Sequence, residues 1–167
     1  MVGSPAASSQ TFEVATPVDT TIVLTRLFNA PHQLVFDVMS KPEHVRRWWG
    51  NLGEGYSVPV CEIDVRVGGQ WRFVNAHPNG EAGFRGVYRK IDPPGRIVFT
   101  EIFEPFPDAE SVVTSVLTEE NGQTRLTATC TYPSKDVRDM VVASGMAKGA
   151  ATSYDRLEDL TQELQQP

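Results

Sequence analysis

The period of the apolar pattern changes along the chain, and this change limits the possible folds more than any other feature of the sequence. Between residues 57 and 132, apolar and polar side chains alternate with a period of two, as in strands with one buried face. From Ser134 to Leu164, apolar residues recur every three or four positions, as in a helix that packs on a core. Strands and helices segregated in this way predict the α+β class.

Turn residues divide the alternating part of the chain into consecutive strands. Gly68-Gly69, Asn79-Gly80 and Asn121-Gly122 accept the positive φ that tight hairpin turns require. A further turn is marked by Asp92-Pro93-Pro94-Gly95. Together with a strand that begins at Asp19, these turns predict an antiparallel meander of six to seven strands.

Two short helices and one long helix are predicted beside the sheet. Pro31 and Pro42 each suit the first turn of a short helix. Ser134 can cap a C-terminal helix of some 30 residues, long enough to lie across the sheet. Gly145 and Gly149 lie four residues apart in this helix. We expect them either to open space for a ligand or to allow close packing.

One domain is expected in a chain of 167 residues. Residues 1–18 are rich in Ser, Ala, Thr and Pro without periodicity, so they are predicted to be a disordered tail before a domain over residues 19–165. The N-terminus lacks the basic and apolar regions of a signal peptide, and no apolar run could span a bilayer. We therefore expect a cytoplasmic protein with no membrane partner, either a monomer or a homodimer.

The charge of the chain argues against one class of partner. It has 15 Lys and Arg residues against 21 Asp and Glu residues, a formal net charge of −6. Domains that bind nucleic acids usually carry a basic excess that neutralises phosphates. We therefore expect no nucleic-acid partner.

Motifs of common catalytic and metal sites are missing from the sequence. Cys61 and Cys130 lack C-x-x-C spacing and are predicted to be small buried side chains. His32, His44 and His77 show no H-E-x-x-H spacing, and no glycine motif for phosphates or dinucleotides occurs. We expect no metal and no cofactor, and we assign no catalytic residue.

Short motifs spread over the whole domain carry a family resemblance. They are Ala30-Pro31, Pro42-Glu43-His44, Trp48-Trp49-Gly50, the run from Glu62 to Trp71, Asn79-Gly80, Gly86-Val87-Tyr88, Ile91-Asp92-Pro93-Pro94 and the run from Ser153 to Leu157. Together they resemble the AHSA-type proteins, the activator-of-heat-shock-protein-ATPase-like branch of the START/Bet v superfamily, also called SRPBCC. The resemblance implies a helix-grip fold, in which a curved antiparallel sheet grips a long C-terminal helix and encloses a cavity.

What the resemblance implies for function is broader. Relatives use the cavity for lipids, hormones, polyketides or aromatic compounds, so a small hydrophobic ligand is the first expectation. An enzyme like the polyketide cyclases or hydratases is an alternative, and it would need at least two polar groups on one cavity wall. A module that contacts a chaperone through its outer sheet face is a further alternative, and an open cavity would count against it.

The residues expected to bind the ligand are seven large apolar side chains and one acid. An ordinary apolar core is the alternative for any single aromatic residue. Trp48 and Trp49 are adjacent in a predicted helix, so at least one of them is expected near the surface or at a pocket mouth. The glycine-rich loop over residues 50–55 is predicted to be a lid. The eight predicted binding residues are Trp49, Trp71, Phe73, Phe84, Tyr88, Glu101, Phe103 and Met146.

Glu101 is the acid with the most informative position. It lies inside an apolar run over residues 97–103, so its side chain either enters the cavity or faces solvent on the outer side of a strand. A carboxyl group in a desolvated cavity has a raised pKa and could act as an acid, a base or an anchor for a cationic ligand. Arg72, Arg85 and Arg89 are expected to form ion pairs on the outer face.

Overall fold

The computed structural model describes residues 12–50 and 53–167, which form one antiparallel sheet of eight strands and four α-helices. Residues 1–11 of the predicted tail and residues 51–52 of the predicted lid lie outside the described residues. The strands are β1 (Glu13–Ala15), β2 (Thr21–Phe28), β3 (Ser57–Ile63), β4 (Gln70–His77), β5 (Gly80–Asp92), β6 (Arg96–Phe103), β7 (Ser111–Glu120) and β8 (Gln123–Thr131). The helices are α1 (His32–Ser40), α2 (Pro42–Trp48), α3 (Lys135–Ala143) and α4 (Met146–Leu164).

Neighbouring strands of the sheet follow the order β1-β2-β8-β7-β6-β5-β4-β3, and every pair is antiparallel. The strands from β3 to β8 follow one another in sequence and in space, as the turn residues predicted. β2 pairs with β8, which places the first long strand next to the last one. The α+β class, the antiparallel sheet and the C-terminal helical segment are consistent with a helix-grip fold.

β1 is the strand that raises the number from the predicted six or seven to eight. It pairs with β2, with Glu13 opposite Thr25 and Ala15 opposite Val23. All three of its side chains are exposed, so backbone pairing rather than apolar burial defines the strand. The predicted disorder of residues 1–18 therefore does not hold for residues 13–15.

The C-terminal helical segment is broken where one continuous helix was predicted. α3 ends at Ala143 and α4 begins at Met146. Between them, Gly145 has a φ of 82°, in the left-handed region that glycine adopts without a steric penalty. The apolar period runs on across this glycine, so the pattern alone did not reveal the break. Ser134 caps α3 as predicted, because its Oγ accepts a hydrogen bond from the Val137 N–H at 3.2 Å.

The core lies between α4, the two short helices and one face of the sheet, which we call the inner face. On β2, every second residue is buried, and Ile22, Leu24 and Phe28 contribute apolar side chains to this face. Leu157 and Leu160 of α4 belong to the same apolar cluster. Cys61 and Cys130 are buried free thiols, as predicted. In the part of the chain that the structure describes, no helix has both the length and the apolar composition needed to cross a membrane.

Candidate functional site

A cavity of about 330 Å³ lies between the inner face of the sheet and helices α1, α2 and α4. Small-molecule sites in proteins usually have volumes of ~300–1,000 Å³. Side chains from β2 and from all strands between β4 and β8 form one side of the cavity. The position of the cavity is therefore set by the packing of the helices against the sheet.

Seven of the eight predicted binding residues line this cavity. They are Trp49, Trp71, Phe73, Phe84, Tyr88, Glu101 and Met146. Phe103 does not line it, and its ring instead packs on Phe84, with 5.0 Å between ring centroids, and on Phe106, with 5.9 Å. Phe103 is the last residue of β6, so its side chain lies at the end of the sheet rather than over the cavity.

Aromatic rings form a connected wall on one side of the cavity. The centroid of the Trp49 ring lies 5.0 Å from that of Phe73 and 5.1 Å from that of Phe84. The Trp71 ring lies 4.8 Å from Phe73 and 5.6 Å from Phe99, in the second case edge to face. Aromatic pairs favour such tilted and edge-to-face arrangements. Each ring is therefore held in place by its neighbours.

Both adjacent tryptophans line the cavity, because Trp49 lies just outside the helix. Trp48 ends α2, is 6% exposed, and donates its indole N–H to the Val38 carbonyl oxygen at 2.8 Å. Trp49 has left the helix, because its ψ of 130° is extended rather than helical. The change of backbone direction turns both indoles toward the cavity, and Trp49 remains the more exposed of the two.

Gly86 allows β5 to lie close to β6 and to the side chain of Trp71 on β4. A Cβ atom at this position would lie 1.8 Å from the Thr100 carbonyl oxygen and 2.7 Å from Nε1 of Trp71. Only a glycine fits there, since contacts this short require the backbone to move. Position 86 therefore requires glycine because there is no room for a side chain beside Trp71.

Three polar side chains that line the cavity lie near Glu101. Tyr132, which follows β8, and Tyr154 of α4 face the same space, as does the thiol of Cys130. Burial raises the pKa of all three groups, and the nearby Glu101 carboxyl raises it further. The pKa of Cys130 reaches about 12. These three groups therefore stay neutral over the physiological pH range.

Glu101 itself lies on the cavity side of β6, not on the outer side. Its carboxyl group has no hydrogen bond or ion pair with a side chain among residues 12–50 and 53–167. Burial alone raises its pKa to about 7. Near neutral pH the group is therefore present in both its charged and its neutral form.

A second buried charge on the inner face, Arg26, was not singled out from the sequence. Its side chain is fully buried, and its Nη1 donates to Oδ1 of Asp155 on α4 at 2.9 Å. Its guanidinium carbon also lies 5.2 Å from the centre of the Phe28 ring, within the range of cation–π contacts. Arg26 does not line the cavity, so its ion pair with Asp155 lies outside the space that a ligand could occupy.

The outer face of the sheet carries the ion pairs that the sequence predicted there. Glu104 accepts two hydrogen bonds from Arg72, at 2.8 and 2.9 Å, and its Oε2 lies 3.7 Å from Nε of Arg85. The Arg72 hydrogen bonds, followed by the charges of Arg72 and Arg85, lower the pKa of Glu104. The expectation is confirmed for these two arginines.

Two tyrosines are the main cavity residues that sequence reasoning missed. In the sequence, Tyr132 continues the alternating pattern of residues 123–132, and Tyr154 lies in the apolar stripe of the C-terminal helical segment. The position of each tyrosine in the apolar pattern predicts that its side chain is buried, but it does not distinguish a filled core from a cavity. One usable signal was that Tyr132 shares a face with Cys130 and Ala128, both small or medium side chains that also line the cavity.

Among the described residues, no three His, Cys, Asp or Glu side chains converge as a metal site would require. The polar side chains that line the cavity are one carboxyl group, the tyrosine hydroxyls, a thiol, the hydroxyls of Ser115 and Ser153 and the amide of Asn75. This set can accept and donate hydrogen bonds and can exchange one proton near neutral pH.

Comparison with protein families identifies the family of the chain. The family model described as "Activator of Hsp90 ATPase homolog 1-like protein" matches residues 29–162. The chain belongs to this family, which confirms the resemblance seen in its motifs.

Solved structures of bacterial proteins share the fold. A crystal structure from Rhodobacter sphaeroides has a TM-score of 0.83 at 24% identity, covering 92% of this chain and 99% of its own. One from Mycobacterium smegmatis has a TM-score of 0.79 at 26% identity, covering 89% and 94%. One from Nitrosomonas europaea has a TM-score of 0.76 at 22% identity, covering 89% and 98%. The search of curated proteins found no match.

Proposed function

We propose that the protein binds a small, mostly apolar ligand in the cavity between the sheet and α4. The observation that carries this proposal is a volume of about 330 Å³ bounded by aromatic rings that hold one another in place. Rings of this kind offer a large apolar contact area at a small cost in conformational entropy.

The small side chains on the cavity wall support the same function. Ser115, Ala128, Gly149 and Ala150 all line the cavity, at positions where larger apolar residues would fill it. An unfilled apolar space lowers the stability of a protein, because its walls lose dispersion contacts. A fold that maintains such a space is therefore well suited to a ligand that restores those contacts.

A neutral fluorescent probe tests this proposal. N-phenyl-1-naphthylamine is uncharged at neutral pH and becomes brighter in apolar surroundings. All three tryptophans of the chain, Trp48, Trp49 and Trp71, line the cavity. We expect saturable binding of the probe at one site, with energy transfer from tryptophan to the bound probe.

Neighbouring residues of α4 provide a matched pair of variants. Ala150 lines the cavity and Ala151 does not, and both are partly buried. Ala150→Trp places an indole in the ligand space, so it should weaken probe binding about tenfold or more, since each 1.4 kcal/mol of lost binding is tenfold. Ala151→Trp should leave the affinity nearly unchanged. Failure of the probe to bind, or equal affinity in both variants, would reject the proposal.

An acid–base enzyme is the second candidate, and one observation favours it. Glu101, Tyr132 and Tyr154 face one region of the cavity, which meets the requirement for at least two converging polar groups. A carboxyl group that titrates near neutral pH suits proton transfer, while the protonated tyrosines can donate hydrogen bonds. A reaction through Glu101 would show a pH profile with an inflection near 7 that Glu101→Gln removes. The open cavity counts against the third expectation, a module with a filled core that contacts a chaperone.

A further inference from the structure

The charges of the inner face are unevenly compensated. Arg26 is paired with Asp155, whereas the carboxyl group of Glu101 faces the cavity without a side-chain partner among the described residues. A buried carboxylate without a counter-charge is unfavourable, because the low dielectric surroundings do not replace its lost hydration. The group that would bind this carboxylate most favourably is one that supplies a positive charge and N–H donors.

The aromatic wall favours the same kind of group. The faces of aromatic rings carry a negative potential, and ammonium groups are attracted to them. Phe99 lies two residues before Glu101 on the same face of β6, and its ring contacts Trp71 and Tyr88. A cation at Glu101 would therefore be close to rings as well as to a carboxylate.

Hydroxyl oxygens complete the set of acceptors. An ammonium group has three N–H donors and no acceptor. Glu101 can accept one or two of these hydrogen bonds, and the hydroxyl oxygens of Tyr132 and Tyr154 face the same space. An anionic ligand would instead meet a like charge and no cation, because Arg26 does not line the cavity.

We propose that the ligand is an apolar amine, a ring-bearing molecule whose ammonium group pairs with Glu101 while its rings pack on the aromatic wall. This inference rests on the proposed function, because it requires that the cavity binds a ligand. It adds the chemical class of that ligand and the residue that selects it.

The titratable groups around Glu101 define the expected pH dependence. Tyr88 of β5, Cys130 of β8, Tyr132 just after β8, and Tyr154 of α4 line the cavity with it, and burial raises the pKa of each. No Asp, Glu, His or Lys of the described parts of α1 and α2 lines the cavity. Between pH 6 and pH 8, Glu101 is therefore the group whose ionisation controls binding.

Three ligands of nearly equal shape test the inference: 1-naphthylmethylamine, 1-naphthalenemethanol and 1-naphthoic acid. Their dissociation constants are measured by displacement of N-phenyl-1-naphthylamine and by calorimetry. At pH 8 we expect the amine to bind about tenfold or more tighter than the alcohol, as charge-assisted hydrogen bonds exceed neutral ones. The acid should bind most weakly. The affinity for the amine should rise about tenfold from pH 6 to pH 8, while that for the alcohol stays constant.

Two variants assign the effect to one carboxyl group. Glu101→Gln keeps the shape of the side chain and removes its charge, so the amine should lose its advantage while the alcohol binds within about threefold of its original affinity. Unchanged binding of the alcohol also shows that this variant is folded. Glu104→Gln removes a carboxylate from the outer face and should leave the preference for the amine intact.

The outcomes separate the inference from the function on which it rests. If the alcohol and the neutral probe bind but the amine binds no tighter, or keeps its advantage in Glu101→Gln, the ligand class is wrong and the cavity function stands. If the carboxylic acid binds most tightly, the inference is also wrong. If neither the probe nor any of the three ligands binds, both proposals are rejected.

Discussion

Glu101 and Glu104 lie three residues apart, yet the two faces of the sheet give their carboxyl groups opposite surroundings. Glu104 is held on the outer face by Arg72 and Arg85, and its pKa is lowered, mainly by the hydrogen bonds from Arg72. Glu101 faces the cavity without such partners, and burial raises its pKa to about 7. β6 thus presents an uncompensated charge to the ligand space, and Glu104, the residue that follows this strand, carries a compensated charge on the outer face.

The two glutamates differ in what a counter-charge would contribute to the free energy of the protein. Exposed ion pairs contribute little to stability, because water already solvates both partners. A lone carboxylate in a cavity is costly until a ligand supplies its counter-charge. Arg26 shows that the same inner face can compensate a buried charge when it is not part of the cavity wall.

The largest effect is expected when the compensated charge of the inner face loses its partner. Asp155→Asn keeps an oxygen near Nη1 of Arg26 but removes the negative charge. Arg26 is fully buried, so its charge would be left without compensation, and we expect a loss of roughly 2–4 kcal/mol in the free energy of unfolding. Urea denaturation at pH 7 measures this change.

A second substitution at Arg26 checks the cause of that loss. Arg26→Met removes the buried charge, so the double variant Arg26→Met/Asp155→Asn should be more stable than Asp155→Asn alone. A double variant that is no more stable would show that Asp155 acts through packing rather than through the charge of Arg26.

The next largest change is a gain in the free energy of unfolding, expected for Glu101→Gln, and its size depends on pH. The pKa of Glu101 is about 7 in the folded protein, above the ordinary value of 4.5. Between these values the unfolded chain releases the proton that the folded protein keeps, so this group lowers stability as the pH rises from about 4.5 to about 7. Glu101→Gln removes this dependence. We expect it to be about 2–3 kcal/mol more stable than the unchanged protein at pH 8 and nearly equal near pH 4.

The smallest effect is expected for Glu104→Gln, the matched control on the outer face. The folded-state pKa of Glu104 is lowered, so its contribution is favourable above its ordinary pKa and is lost as the pH falls. The substitution should therefore reduce stability slightly at pH 8, in the direction opposite to Glu101→Gln. Parallel denaturation curves at pH 4 and pH 8 compare the two. If Glu101→Gln and Glu104→Gln changed the stability at pH 8 in the same direction, the two carboxyl groups would not differ in the way described.

The comparison of faces also explains how much of the site the sequence could predict. The period-two pattern located the strands, and the aromatic residues Trp71, Phe73, Phe84 and Tyr88 on them are four of the seven predicted binding residues that line the cavity. The pattern could not orient Glu101, because the outer row of β6 mixes polar and apolar residues: Arg96 and Thr100 alternate there with Val98 and Ile102. The alternation of apolar and polar side chains therefore does not mark one face of this strand as the buried one.

Features that depend on backbone pairing, backbone conformation or long-range contacts could not be predicted from the apolar pattern either. β1 has exposed side chains and forms through pairing with β2, so its sequence looks like a tail. The break before α4 depends on the left-handed conformation of Gly145, which leaves the apolar stripe uninterrupted. The ion pair of Arg26 with Asp155 joins residues far apart in the sequence, and no local pattern records such a contact.

The pH at which Glu101 loses its proton shows most directly whether the cavity holds an uncompensated carboxyl group. Carbon NMR of the side-chain carboxyl groups, with the Glu101 signal assigned by its loss in Glu101→Gln, gives the pKa by titration. We predict a midpoint near pH 7 in the ligand-free protein and a lower midpoint when 1-naphthylmethylamine is bound. A ligand-free midpoint at or below the ordinary value of 4.5 would contradict this prediction, because the carboxylate would then already be compensated.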